Sequence, residues 1–200
     1  MFYTNPISLL LQPRRAWDHV ASHAPASIVA ALIYPILFAV LPAYAWYYGT
    51  TQVGWRIGDS DPVRLTHASA RPIVVLFYLA MVAAIVGIGW MIHWMSQTYG
   101  ASSTPAKGIA IAGITATPLF LAGAVGFYPL FLFDLTIGMI ALTYAVYLLY
   151  TGIPIVMKVP EERGFLFSSA VIAVALVALI AIMGATVILW DMGAAPTFTN

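Results

Sequence analysis

The sequence predicts an all-α polytopic membrane protein: a bundle of five transmembrane helices with a short N-terminal amphipathic interfacial helix. Of its 200 residues, 62% are hydrophobic and only 8% are charged, whereas a soluble domain carries about 25% charged residues. Apolar stretches long enough to cross a bilayer recur along the chain, and most of the few charges lie between them. We therefore expect most of the protein surface to face lipid.

Five stretches have the length of a membrane-spanning helix. Such a helix needs about 20 mostly apolar residues, because the hydrocarbon core is about 30 Å thick and each residue rises about 1.5 Å. The predicted spans are Ser27–Tyr48, Pro72–Met95, Gly108–Phe127, Leu130–Val156 and Phe165–Trp190. The third and fourth come from one run that is too long for a single crossing, so Gly126–Pro129 is read as a tight turn.

The chain is accordingly divided into three parts. Residues 1–26 form a cytoplasmic N-terminal segment, residues 27–192 form the transmembrane domain, and residues 193–200 form a short external tail. Within the first part, Pro13–Ala24 can form an amphipathic helix. We expect it to lie flat on the membrane, anchored by Trp17 and attracted to anionic lipid by Arg14 and Arg15.

The distribution of lysine and arginine predicts the orientation. Cytoplasmic loops of membrane proteins carry an excess of these residues. With the N-terminus inside, five of them lie on the cytoplasmic side and three outside: Arg14, Arg15, Lys107, Lys158 and Arg163 against Arg56, Arg64 and Arg71. The bias favours a multi-pass plasma (inner) membrane protein with a cytoplasmic N-terminus and an external or periplasmic C-terminus.

The fourth span carries two distinct faces. Thr136, Thr143 and Tyr147 fall on one side of the helical wheel, and Asp134 points the opposite way, beside Gly138. We expect the threonine–tyrosine face to turn inward, so its three residues are candidates for lining a cavity. Asp134 is a further candidate on the opposite seam. A carboxylate inside a membrane is costly and is often functional. A partly solvated aspartate in the first helical turn is the alternative reading.

The third span is interrupted at Thr117-Pro118. Proline has no N–H to donate, so the helical ladder loses a hydrogen bond and a carbonyl is left free. This predicts a kink that serves either packing or a ligand cavity.

A divalent metal is the one cofactor for which the sequence offers ligands. His19 and His23 lie one helical turn apart, with Asp18 alongside, and such spacing suits a metal. Asp59 or Asp61 are further candidates, although the orientation above puts them on the other side of the membrane. Two solvated histidines on a surface helix are the alternative reading.

Other classes of function are disfavoured by composition. The chain has no cysteine, so disulfides and thiolate chemistry are excluded, and a net charge of +1 gives no reason to expect nucleic acid. It contains no GxSxG elbow, HExxH pair or phosphate-cradling glycine loop. We therefore expect a protein that is not an enzyme.

The segment Gly152–Arg163, GIPIVMKVPEER, concentrates four charged residues between two apolar runs. Gly152 and Pro154 mark the end of the fourth helix, and Pro160 suits the start of the fifth. Glu161 then falls in the first turn of that helix, where negative charge is favourable. The pattern predicts a cytoplasmic helix–turn–helix.

The string YLLYTGIPIVMKVPEER (Tyr147–Arg163) resembles the C-terminal signature of the Yip family, membrane proteins named for their interaction with Ypt/Rab GTPases. VGWRIG (Val53–Gly58), TATPLFLAG (Thr115–Gly123) and PRRAW (Pro13–Trp17) resemble its compact prokaryotic branch. The resemblance implies five spans with the N-terminus in the cytoplasm and the C-terminus across the membrane. The resemblance does not imply a specific biochemical activity. The matched signature positions, candidates for partner binding, are Thr117, Pro118, Tyr150, Gly152, Pro154, Lys158, Pro160, Glu161 and Arg163.

Two hypotheses of function follow. The first is a non-enzymatic membrane-organising or partner-binding scaffold, contacted at Lys158–Arg163. Its partners are the lipid bilayer and other membrane proteins, and whether the chain forms homo-oligomers is left open. The second is a small transporter or channel for an ion, including a divalent metal, or for a small solute.

Overall fold

The computed structural model of the chain describes residues 5–23, 25–56 and 61–199. Asp59 and the last two residues of VGWRIG lie outside the described residues, as do residues 1–4 and 24 of the N-terminal segment. Helices dominate the described residues, in the order α1 Pro6–Leu11, α2 Pro13–Ser22, α3 Ile28–Tyr48, α4 His67–Ser96, α5 Pro105–Thr115, α6 Thr117–Ala122, α7 Phe131–Met157 and α8 Glu161–Leu189. The all-α membrane fold is confirmed.

Four of these helices, α3, α4, α7 and α8, are long and apolar enough to cross a membrane. The pair α5 and α6, which a 3₁₀ turn over Gly123–Phe127 extends, is bent by 41° and forms a fifth candidate span. Its two ends lie at opposite ends of the bundle. Gly108 packs against Gly89 and His93 near the end of α4, whereas Gly126 packs against Trp46 near the end of α3. The pair therefore runs the full length of the bundle, as a span does.

Close approach of backbones holds this bent span against its neighbours. The α-carbon of Gly108 faces the Gly89 carbonyl so closely that a side chain on either residue would collide with the other helix. Along α3, Gly113 faces the Pro35 ring and Gly123 faces Pro42. Since leucine against leucine gains little in lipid, helices in membranes associate through such small residues.

Helix α2 packs along α7, and α1 packs against α2. The apolar side of α2 is buried, with Trp17 completely inaccessible, while Arg14, Arg15 and Asp18 are exposed. The prediction of an amphipathic helix is confirmed. The prediction that Trp17 anchors it in the headgroup region is wrong, because the indole inserts against Gly152 of α7.

A short two-stranded sheet ties the C-terminal tail to the loop between α3 and α4. Strand β1, Arg64–Leu65, pairs antiparallel with β2, Phe198–Thr199. The Thr66 amide also donates to the Thr197 carbonyl at 3.2 Å. We call this pairing the clasp, and the end of the bundle that carries it the clasp end. The connection between α7 and α8 lies at the other end, which we call the elbow end.

Candidate functional site

The elbow, Gly152–Arg163, is built around a left-handed residue. α7 ends at Met157, and Lys158 adopts φ 55° and ψ 44°. This conformation turns the chain sharply, as a helix C-cap does. The Pro154 carbonyl accepts hydrogen bonds from the amides of Lys158 and Val159, the second at 3.2 Å. The predicted helix–turn–helix is present, with α8 starting directly after Pro160.

Side chains on both sides of the elbow fasten α7 to α8. The Tyr150 hydroxyl lies 2.8 Å from the Ser169 hydroxyl, and the Tyr150 ring stacks on Phe165 with centroids 5.1 Å apart. Gly164 leaves room for the Pro154 ring. These contacts fix the angle at which the two helices meet.

The elbow displays charge above an apolar base. Lys158, Glu161, Glu162 and Arg163 are exposed, whereas Met157 and Val159 are buried beneath them. On the neighbouring α5, Lys107 lies close enough to Lys158 for the two positive charges to repel each other. Arg163 reaches over Gly100 in the connection between α4 and α5. The arrangement is a charged surface on a rigid support.

At the break in the third span, Thr117 and Pro118 are buried. The Thr117 hydroxyl donates to the Ile114 carbonyl at 2.6 Å, which replaces part of the interrupted helical ladder. The same hydroxyl lies 2.7 Å from the Tyr34 hydroxyl on α3. Thr117 therefore joins the bent span to α3, and its hydroxyl bonds the Ile114 carbonyl that Pro118 leaves without a backbone donor.

A cavity of about 510 Å³ lies between the membrane-spanning helices. Asp134 and Gly138 line it, as do apolar side chains of α4, α5, α6 and α8. The expectation that the threonine–tyrosine face of α7 turns inward is wrong. Thr136 and Thr143 are exposed, and their hydroxyls donate to carbonyls of their own helix at 2.7 and 2.8 Å.

Tyr147 is also exposed and lies outside this cavity. It borders a separate recess of about 390 Å³ together with Gln12, Pro13, Arg14 and Arg15. Arg14 and Arg15, which we expect to attract anionic lipid, thus lie beside Tyr147 on the surface of the bundle.

The residues proposed as metal ligands are only partly brought together. The rings of His19 and His23 stack with centroids 4.4 Å apart, and His23 Nδ1 is 2.9 Å from the Ser22 hydroxyl. Within residues 5–23, 25–56 and 61–199, no three His, Asp or Glu side chains converge as a metal site. Asp18 does not complete such a set, and the metal stays a prediction.

Sequence reasoning missed two features of these sites. The first is the insertion of Trp17 against Gly152, which joins PRRAW to the elbow. Both stretches carry the family signature, and this shared feature was the signal that could have indicated a contact between them. The contribution of Thr115 to the cavity had no such signal, because a lone threonine in an apolar helix is common.

Comparison with known proteins agrees with this architecture. The chain matches the Yip1 domain over residues 7–182, which includes α1 to α7 and most of α8. It is 39% identical over 158 residues, 79% of this chain and 81% of the relative, to the inner membrane protein YohC of Escherichia coli strain K12. The figures are the same for the inner membrane protein YohC of Escherichia coli O6:H1 strain CFT073. No solved structure matches the chain. This integral membrane protein belongs to the Yip1 family.

Proposed function

We propose that the chain is a non-enzymatic scaffold of the inner membrane that binds partner proteins through its elbow on the cytoplasmic side. The observation that carries the proposal is the construction of the elbow: four exposed charged side chains above a buried base, fixed by Lys158 and by the Tyr150–Ser169 contact. A pre-organised surface loses little conformational freedom when a partner docks.

The membrane location and orientation are supported by two further observations. Both relatives described above are named as inner membrane proteins. Lys107, Lys158 and Arg163 lie at the elbow end, and with Arg14 and Arg15 of α2 they make five cations against three at the clasp end, a bias that favours the cytoplasm for the elbow end. Arg14 and Arg15 on the outer side of α2 add positive charge that suits anionic lipid.

The test compares partners captured by cross-linking in native membranes. The variant combines Lys158→Gly with Glu161→Ala, because glycine adopts the φ of residue 158 without strain and the elbow keeps its shape. We expect it to lose specific partners that the wild type captures. A control with Arg71→Ala and Asp191→Ala, both exposed charges away from the elbow, should retain them. If the elbow variant keeps the same partner set, the scaffold proposal fails.

A transporter or channel is the second candidate, and Asp134 on the cavity wall is the observation that favours it. An ion needs polar groups along its route, but Thr136, Thr143 and Tyr147 face away from the cavity. The scaffold is therefore the better-supported function. Flux of protons, cations or small solutes through liposomes that contain the purified protein would reverse this order.

A further inference from the structure

The recess between α2 and α7 places two cations beside a phenol. It measures about 390 Å³ and is lined by Gln12, Pro13, Arg14, Arg15 and Tyr147. Both arginines and Gln12 are exposed, and 48% of Tyr147 is accessible, so a molecule outside the bundle can reach their polar groups. The recess therefore offers hydrogen-bond donors to a ligand, and its lining includes no carboxylate.

The two arginines have no anionic partner among the described residues. Neither forms an ion pair there, although the exposed Asp18 lies about one turn further along α2. Arg15 Nη1 donates to Gln12 Oε1 at 2.8 Å, which holds that side chain and leaves most of the guanidinium N–H groups for other acceptors. Because arginine stays charged and binds the oxygens of phosphate in pairs, phosphate is an anion that suits this recess.

The recess lies below the elbow end of the bundle. The Tyr144 hydroxyl donates to the Leu10 carbonyl at 2.7 Å. Trp17 packs further along α7, against Gly152, so α2 starts beside the middle of α7 and runs towards the elbow end. Tyr147 lies about 15 Å along the axis from the elbow end of α7.

This depth makes a lone arginine costly. Helix α7 is about 40 Å long, whereas the hydrocarbon core of a bilayer is about 30 Å thick. In a bilayer centred on α7, the recess therefore lies below the headgroups of the leaflet at the elbow end. An arginine there must extend to the headgroups or draw an anion towards itself, and lipid phosphates are the anions at that level.

The surface next to the recess suits acyl chains. Ile140 and Thr143 precede Tyr147 on the same face of α7, and all three are exposed. The Thr143 hydroxyl donates within its own helix, so it makes no demand on a neighbour. Leu11, next to Gln12, is 74% exposed. A phosphate in the recess can thus keep attached hydrocarbon chains against α7, which favours a lipid over a free phosphate.

We propose that this recess binds the phosphate group of a membrane phospholipid. Arg14 and Arg15 contact the phosphate oxygens, the Tyr147 hydroxyl is a further donor, and the acyl chains lie along Thr143 and Ile140. The site holds one lipid in a defined place, in contrast to a general attraction of α2 to an anionic surface. None of these residues belongs to the elbow, so the proposal does not depend on the scaffold function.

The experiment measures lipid binding by the full-length protein in maltoside micelles, which contain no phosphate. Native mass spectrometry compares phosphatidylglycerol with diacylglycerol of the same acyl chains. We expect one phosphatidylglycerol to bind about thirtyfold more tightly, as two cations near a lipid phosphate should give. A phosphatidylglycerol with a diazirine close to its glycerol should label peptides that contain Leu11–Arg15 or Thr143–Tyr147, and excess unlabelled phosphatidylglycerol should abolish this labelling.

Three variants separate a defined site from general attraction. Arg14→Gln with Arg15→Gln should weaken phosphatidylglycerol binding by about thirtyfold and leave diacylglycerol unaffected. The control, Arg71→Gln with Arg163→Gln, removes the same charge from two exposed positions elsewhere and should retain tight binding. Tyr147→Phe keeps every charge but should weaken binding about threefold, because one donor to a charged group is lost.

Several outcomes would overturn the proposal. Equal binding of diacylglycerol would exclude recognition of the phosphate, and unchanged binding in the Arg14/Arg15 variant or in Tyr147→Phe would exclude this recess. Equal labelling of peptides around Lys107 or Arg163 would mean that positive charge alone attracts the lipid. Displacement of the label by inorganic phosphate as effectively as by phosphatidylglycerol would assign the recess to a free anion.

Discussion

At the scale of single residues, Gly152 has the clearest structural role in the elbow. The Trp17 indole lies directly over its α-carbon, in the space that a side chain would occupy. The contact buries the largest side chain of α2 and sets how that helix lies along α7. A signature glycine thus marks the place where the N-terminal segment joins the bundle.

We predict that Gly152→Ala displaces α2. A methyl group at residue 152 would overlap the Trp17 ring, and overpacking of this kind costs about 1–3 kcal/mol. Trypsin should then cleave faster after Arg14 and Arg15, because cleavage needs a locally unfolded helix. Gly87→Ala, which meets open space, is the control. Unchanged cleavage rates in Gly152→Ala would show that Trp17 does not hold α2.

At the scale of elements, a buried polar contact adds to the glycine–proline packing that holds the broken third span to α3. Tyr34 and Thr117 are both buried, and their hydroxyls are 2.7 Å apart. Because Thr117 also donates to Ile114, it bridges the break and the neighbouring helix at once. This explains why a threonine, and not only a proline, stands at the break.

We predict measurable coupling between these two residues. A double-mutant cycle with Tyr34→Phe and Thr117→Val should give a coupling energy of about 0.6 kcal/mol, and at most about 1.7 kcal/mol, the range found for hydrogen bonds between membrane helices. Unfolding in mixed detergent micelles measures it. Strictly additive single and double variants would mean that the contact does not stabilise the protein.

How far the sequence predicts each element depends on the physics involved. Span lengths follow from bilayer thickness, so the five predicted spans match helices α3 to α8 closely. The inward face of α7 was wrongly predicted because a helical wheel does not show which side meets other helices. Thr143 satisfies its hydroxyl within its own helix and can face lipid, whereas on the other face Ala145 is buried and Gly138 borders the cavity.

At the scale of the whole molecule, the elbow and the clasp lie at opposite ends of the helical bundle, so the proposed orientation puts them on opposite sides of the membrane. Contacts at Gly108 and Gly126 show that the bent pair runs from one end to the other. The elbow end gathers Lys107, Lys158 and Arg163, and the clasp end carries Arg56, Arg64 and Arg71. The excess of positive charge on the elbow side comes from Arg14 and Arg15 of α2, whose Trp17 packs against Gly152. The proposed orientation therefore puts the elbow end in the cytoplasm and the clasp end outside.

We predict that Ser102→Cys is labelled only from the cytoplasm and Ala68→Cys only from the outside by a membrane-impermeant maleimide. Both residues are exposed, in the α4–α5 connection and the first turn of α4 respectively. The wild-type chain has no cysteine, so each variant carries a single thiol and an unlabelled background. Labelling of residue 102 from outside would reverse the orientation and remove the cytoplasmic elbow from the scaffold proposal.

The candidate sites were predictable to a smaller extent than the fold. The elbow could be found from its charges and signature, since both are local in sequence. The cavity could not, because it is formed by side chains from several helices whose order around the bundle the sequence does not give. Asp134 was singled out for its cost in lipid, and the structure places it on the cavity wall.

The clasp has a consequence for biogenesis. Strand β1 precedes α4, but its partner β2 follows α8. The loop between α3 and α4 must therefore wait, without that partner, until α8 has been inserted and the segment that follows it has been synthesised. Truncated products that stop within α8 would keep this loop open and could be recognised by quality-control proteases on that side of the membrane.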